Sequence, residues 1–294
     1  MFNAQCSMLN VQCSMKNLIT RTLTGLVYVV LLMGCTIYSP VSAFFFFGLV
    51  AAATLFEFGT VMNQHADASM PRAINALAGF ILVAAVWLFC IGSVKASSMM
   101  ALWALLLLYI MVSELYRGSE NSIRNWSLCL ASQLYVALPF ALLPLLSINT
   151  DEAAGRMVYT WIYPLALFIF LWVNDTFAYL SGLTLHGIFP WKLFPSVSPK
   201  KTWIGSIGGC LFTLMASVAI WYVQPGTLSL LQWLGFAAVV VISGTYGDLV
   251  ESHLKRQLDI KDSSHILPGH GGLLDRFDSS LLAIPAVTVY FILL

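Results

Sequence analysis

The chain has 294 residues, of which 59% are hydrophobic and only 9% charged, and its formal net charge is +1. An ordinary soluble domain carries roughly 25% charged residues, so a soluble fold of this size could not hide its apolar surface; a bilayer, itself apolar, removes the difficulty. No long basic tract is present, so composition gives no ground for a nucleic-acid partner.

The first 20 residues carry little charge and no cleavage signal, so the first apolar segment reads as a retained anchor. They contain a near-duplicate, Gln5-Cys6-Ser7-Met8 and Gln12-Cys13-Ser14-Met15, with no acid or histidine nearby to complete a metal site. The other four of the six cysteines, at 35, 90, 129 and 210, lie in apolar stretches. They read as small buried hydrophobes, not as a disulfide framework.

From there apolar stretches recur almost without a break. Nine spans are expected, at about 22–38, 40–62, 73–92, 98–113, 127–146, 158–180, 205–223, 230–249 and 279–294. A span takes about 20 residues, and each must be helical because lipid cannot satisfy open backbone groups. The fold class is therefore all-α, a polytopic transmembrane helical protein.

Lysine and arginine set the orientation. With the N-terminus in the cytoplasm, nine alternating spans place Lys16, Arg21, Arg72, Arg117, Arg124, Lys192, Lys200, Lys201, Lys255, Arg256, Lys261 and Arg276 inside, and only Lys95 and Arg156 outside. The positive-inside bias favours that arrangement.

The acids are uneven too. Asp175, Asp248, Glu251, Asp259, Asp262, Asp275 and Asp278 all fall in the last 120 residues. Residues 1–150, about five spans, read as scaffold, and 151–294, about four spans, as the catalytic region. In the scaffold, Glu57 is either a functional acid or a buried hydrogen-bond partner, and Glu114 with Arg117 reads as a surface pair.

Three segments carry the chemistry. One is Trp172-Val173-Asn174-Asp175-Thr176, late in the sixth span. The second is Ser198-Pro199-Lys200-Lys201-Thr202-Trp203. The third runs from Gly247-Asp248 through Glu251, Ser252, Lys255 and Arg256 to Lys261-Asp262, Pro268-Gly269-His270-Gly271-Gly272 and Asp275-Arg276-Phe277-Asp278. Asp248, Glu251, Ser252 and Lys255 recur at spacings of three and four, which puts them on one helix face. Asp275 and Asp278 share a face if a helix starts there. Carboxylates beside lysines, arginines and glycines form the inventory of a Mg²⁺–phosphate site: oxygen ligands for the cation, basic groups for phosphate, and backbone free to approach an anion.

Taken singly, each feature has a plainer reading. The lysines fit topology charges that snorkel, Asp175 a helix-packing acid, Pro268-Gly269 a turn, and His270 an interfacial side chain. Together they are much too polar for an ordinary inter-span loop. A transporter would concentrate such groups at mid-span, whereas here they gather at one surface.

The run Ser252-His253-Leu254-Lys255-Arg256, then Lys261-Asp262-Ser263, then Leu267 to Asp278 resembles the signature of the phosphatidate cytidylyltransferases, or CDP-diacylglycerol synthases. Ser198 to Trp203, and Asp175 with Ala178-Tyr179, fit it as well. The resemblance implies a multi-spanning, Mg²⁺-dependent enzyme of a bacterial-type inner membrane, with its site on the cytoplasmic face. It would use CTP and phosphatidate, with K⁺ as a second cation. It places catalysis on Asp248, Lys255, Asp275 and Arg276. Metal binding falls on Asp248 and Asp275, with Asp175, Glu251 and Asp278 nearby. Substrate contacts fall on Ser198, Lys200, Lys201, Thr202, Arg256, Lys261, Asp262, Gly269, His270, Gly271 and Gly272. The acceptor could also be another lipid phosphate, such as an isoprenoid-ether one, and the oligomeric state, a homodimer among the options, stays open. Two departures stand out: Ile204 occupies a position where the family usually has glutamate, and the basic stretch usual after the sixth-span aspartate is Ser181 to Gly187 here, with Lys192 the nearest basic replacement.

Overall fold

The computed structural model describes residues 22–151, 156–185, 187, 191–264, 266 and 271–294. The helices are α1 (Thr22–Tyr38), α2 (Pro40–His65), α3 (Arg72–Cys90), α4 (Ala96–Arg117), α5 (Ser122–Ser132), α6 (Leu138–Ser147), α7 (Ile162–Leu185), α8 (Trp203–Val223), α9 (Leu230–Gln257) and α10 (Leu274–Leu293). A π-helical turn, Gln133–Ala137, joins α5 to α6, and the continuous run Ser122–Ser147 counts as one crossing. Among the described residues eight helices are long and apolar enough to span a bilayer, and α1 is a shorter apolar helix. The chain is thus an all-α polytopic membrane protein.

The helix starts follow local chemistry. Ser39 opens α2 and Ser229 opens α9 with reciprocal capping boxes, and Thr202 caps α8 by accepting the Gly205 N–H. Helix ends depart from the hydropathy reading where polar residues begin. α7 continues to Leu185, α9 to Gln257, and α10 begins at Leu274. Polarity ends an apolar window but not a helix, because backbone hydrogen bonds and side-chain pairs at the boundary sustain it.

Two short antiparallel hairpins interrupt the helical plan. β1 (Ile148–Asp151) pairs with β2 (Arg156–Tyr159), so residues expected to open the sixth span form a strand instead. Tyr159 anchors that strand by donating its hydroxyl to Thr36 O at 2.6 Å. β3 (Lys192–Phe194) pairs with β4 (Ser198–Thr202) and leads directly into α8.

One hydrophobic core runs through the bundle, from Leu32 on α1 to Val287 on α10. Phe277, buried within it, stands edge-to-face against Phe140 of α6, Phe168 of α7 and Tyr28 of α1, with ring centroids 5.2, 6.2 and 5.6 Å away. Such ring contacts fix the inner face of α10 and hence the direction of Asp275 and Asp278 on either side of it. Buried polar groups tie the scaffold helices: Gln133 donates to Asn75 Oδ1 at 2.9 Å and accepts from Trp103 at 3.2 Å.

Glu114 is not a surface group. It is 1% exposed, accepting from Arg117 at 3.2 Å and from Asn125 at 2.9 Å. Asn125 also accepts the Ser69 N–H, so this knot ties the α2–α3 turn to α4 and α5.

Candidate active site

The close approach of α7 to α8 prepares one wall of the site. A β-carbon on Gly205 would lie 2.7 Å from Ala178 O, and one on Gly209 would lie 2.6 Å from Asn174 Oδ1. Only glycine permits this spacing, which aligns Asp175 on α7 with the β4–α8 junction.

Between these elements lies a cavity of about 610 Å³. Asp175 and Asp248 face it from α7 and α9; Lys192, Lys200, Lys201 and Thr202 face it from the β3–β4 hairpin. Tyr179 and Leu183, both largely exposed on α7, supply an apolar flank. Lys201 reaches across to Asp248 Oδ2 at 2.6 Å, and Ser252 donates to Asp248 Oδ1 at 3.1 Å. Among the described residues Asp248 pairs with neither Lys255 nor Arg256 of its own helix. A strand contributed from elsewhere in the chain provides the cation instead. Ser198 sits half-buried at the start of β4.

A second polar group is packed beneath the N-terminus of α10. Lys255 lies 2.6 Å from Glu251 Oε2 on its own helix and 2.8 Å from Asp275 Oδ1. Asp275 Oδ2 accepts the backbone N–H groups of Ser263 at 2.9 Å and Gly272 at 2.8 Å. Glu251 is fully buried, and its Oε1 has no hydrogen-bond partner among the described residues. Glu57, arriving from α2, accepts from Leu273 N at 2.8 Å and Leu274 N at 3.2 Å, and Ser263 donates its hydroxyl to Glu57 Oε1.

These contacts explain the paired glycines. Gly271 has φ +82°, a left-handed conformation that favours glycine, and a β-carbon there would stand 2.7 Å from Asp275 Oδ2. A β-carbon on Gly272 would overlap the Glu57 carboxylate and the Ser263 hydroxyl.

The expected helix faces are present: Asp248 with Ser252, and Glu251 with Lys255, pair four residues apart on α9, and Asp275 and Asp278 share α10. Asp278 accepts the Ser279 N–H at 2.5 Å. Arg256, Lys261, Asp262 and Arg276 are exposed. Gly269 and His270 lie outside the described residues. Among the described residues Asp248 and Asp275 have no partner in common.

Ser263 and Glu57 join the site only through the fold. Ser263 stands inside the motif, but no spacing in the sequence reports that Glu57 and Asp275 are its neighbours.

A family model described as the cytidylyltransferase family matches residues 19–294. The chain belongs to the cytidylyltransferase family. Proteins named phosphatidate cytidylyltransferase from Staphylococcus aureus (strain COL) and Staphylococcus haemolyticus (strain JCSC1435) are 30% and 31% identical to it. Each alignment covers 92% of this chain and 98% of the relative.

Membership of this family implies a Mg²⁺-dependent reaction. The cavity suits a hard cation by donor type, since Asp175, Asp248 and Asn174 offer only oxygen and amide groups, and among the described residues no thiol or imidazole lines it. The Asn174 Oδ1 is buried without a hydrogen-bond partner among the described residues. No cluster of three or more histidine, cysteine or acidic side chains arranged to hold a metal occurs among the described residues. Magnesium commonly takes one or two carboxylates and completes its shell with water and substrate phosphate, so this donor set is adequate.

Proposed function

We propose that this membrane cytidylyltransferase transfers the cytidylyl group of CTP to phosphatidate, giving CDP-diacylglycerol and pyrophosphate. The observation that carries this reading is the convergence of three lysines and two aspartates on one cavity beside an apolar flank. A triphosphate matches the lysines, and a diacyl lipid matches the flank.

In the reaction a phosphate oxygen of phosphatidate bonds to the α-phosphorus of CTP. The bond from that phosphorus to the β-phosphate oxygen breaks, and pyrophosphate leaves with the electron pair. A protein nucleophile is unnecessary because a phosphate monoester is largely dianionic at pH 7, its second pKa being about 6. The difficulty is bringing two anions together. Lys192, Lys200 and Lys201 offset that repulsion and orient the triphosphate. Thr202 lines the approach, and Tyr179 and Leu183 border the lipid tails. Asp248, with Asp175 and Asp278 close by, would hold Mg²⁺, which supplies charge neutralisation at the phosphates. Asp275 could join that ion only through Oδ1, because Oδ2 is occupied by two backbone donors. A K⁺ companion would be held by the surplus carboxylates around Lys255.

The site faces the cytoplasm of a bacterial inner membrane, where CTP is available. Cysteine labels in 191–200 and 258–264 should react from the cytoplasmic side. Labelling of either from outside would overturn that orientation.

Label position tests the chemistry. With phosphatidate and Mg²⁺, α-labelled CTP should send its label into the lipid phase and γ-labelled CTP should leave its label in water as pyrophosphate. Lipid labelled from the γ position would mean phosphoryl transfer and would refute the proposal. An isoprenoid-ether phosphate run in parallel compares the two lipid acceptors.

A further inference from the structure

Glu57 is a carboxylate of the N-terminal half that the reaction outlined above leaves unused. It is 2% exposed, on a helix that is otherwise strongly apolar. A buried carboxylate is costly unless donors surround it. Its donors are Leu273 N, Leu274 N and the Ser263 hydroxyl. That hydroxyl also lies 2.9 Å from Asp275 Oδ2. It has one proton. Asp275 Oδ2 already receives two N–H groups, so the proton serves Glu57.

The two N–H groups open α10, whose N-cap residue is Leu273 and which has no side-chain cap of its own. The first N–H groups of a helix lack intrahelical partners, and a negative charge there is favourable. A nearby serine or aspartate ordinarily serves. Here the cap comes from a residue 216 positions away in sequence. Asp275, Arg276 and Asp278 all lie in the turns this cap anchors.

We infer that Glu57 is a positioning residue for cytidylyl transfer: by capping α10 and holding Ser263, it fixes the carboxylates of the first α10 turns against Lys255 and the cavity. The inference rests on the function proposed above. Glu114 provides the contrast. It is as deeply buried and as well bonded, but its partners, Arg117 and Asn125, belong to a knot in the scaffold.

The experiment compares full-length Glu57→Gln, Glu57→Asp and Glu114→Gln with the parent protein in detergent. It measures kcat and KM for CTP with Mg²⁺, thermal unfolding, and hydrogen exchange of the α10 N-terminal peptide. Glutamine keeps the size of Glu57 but turns an amide donor toward backbone donors. Glu57→Gln should lower kcat by about a hundredfold, the scale on which a misplacement of about 1 Å acts. KM for CTP should stay within about threefold because the cavity lysines are untouched. Exchange at Leu273 and Leu274 should accelerate. Glu57→Asp, which keeps the charge, should recover much of kcat. Glu114→Gln should lower thermal stability with kcat per folded molecule unchanged.

A Glu57→Gln protein with parental kcat, or one losing activity only in proportion to unfolding as Glu114→Gln does, overturns the inference. So does unchanged exchange at the α10 N-terminus, a result readable even without turnover. If Glu57→Gln fails to fold, Glu57→Asp carries the same comparison, and equal losses of kcat and stability there would overturn the inference as well. An inactive parent protein would instead count against the proposed reaction.

Discussion

The polar residues of this protein form two regions with opposite electrostatics. The cavity sets three lysines, Lys192, Lys200 and Lys201, against two aspartates, Asp175 and Asp248, a formal surplus of one positive charge. The group under α10 sets one lysine, Lys255, against three carboxylates, Glu57, Glu251 and Asp275, a formal surplus of two negative charges. The first is open, with Lys201 and Asp248 side chains 26% and 31% exposed; in the second, Glu251 and Asp275 are 0% and 6% exposed. Solvent and salt screen the cavity charges far more than the buried ones. Changes to the cavity lysines should therefore show in substrate affinity, and changes under α10 in stability and turnover.

The comparison breaks most visibly at Lys255. Lys255→Met removes the cation between two buried carboxylates, and breaking such a pair costs about 3–5 kcal/mol. Thermal unfolding in detergent should show a large drop, with most activity lost. A variant as stable as the parent would mean that Glu251 and Asp275 are compensated some other way. Lys200→Met removes an exposed charge from the cavity. KM for CTP should rise by about tenfold, the value of one charge-assisted hydrogen bond, with kcat and stability nearly unchanged. The effect should shrink as salt is raised; an affinity loss independent of salt would contradict an open, screened cavity. Ile204→Glu, which restores the acid usual in the family, is the smallest expected change. Ile204 is half-buried in the first turn of α8 and does not line the cavity. Activity should stay within a few-fold, and a gain above about tenfold would show that the parent protein is deficient there.

What the sequence disclosed tracks the range of each interaction. Asp248, Glu251, Ser252 and Lys255 could be assigned to one face because helical periodicity is local, and the α9 pairs agree. Lys192, Lys200, Lys201, Asp175 and Asp248 could be listed, but only the fold brings them to one cavity. The pairing of Lys201 with Asp248 crosses from a strand to a helix, and no spacing rule reports it. Glu57 was legible only as an anomaly, an acid in an apolar run. Its partners Ser263, Leu273 and Leu274 are more than 200 residues away in sequence. The hairpins are not legible in the sequence because strands of three to five residues are too short to outweigh the surrounding apolar windows.

The most direct test is a Mg²⁺ titration of CDP-diacylglycerol formation from CTP and phosphatidate, run on the purified protein beside its Asp248→Asn variant. The parent protein should form the lipid nucleotide with one pyrophosphate per product. Asp248→Asn should be slower by about a hundredfold and should require more Mg²⁺. A parent protein that forms no lipid nucleotide where a staphylococcal relative does, or an Asp248→Asn variant with parental rate and Mg²⁺ dependence, would contradict the account.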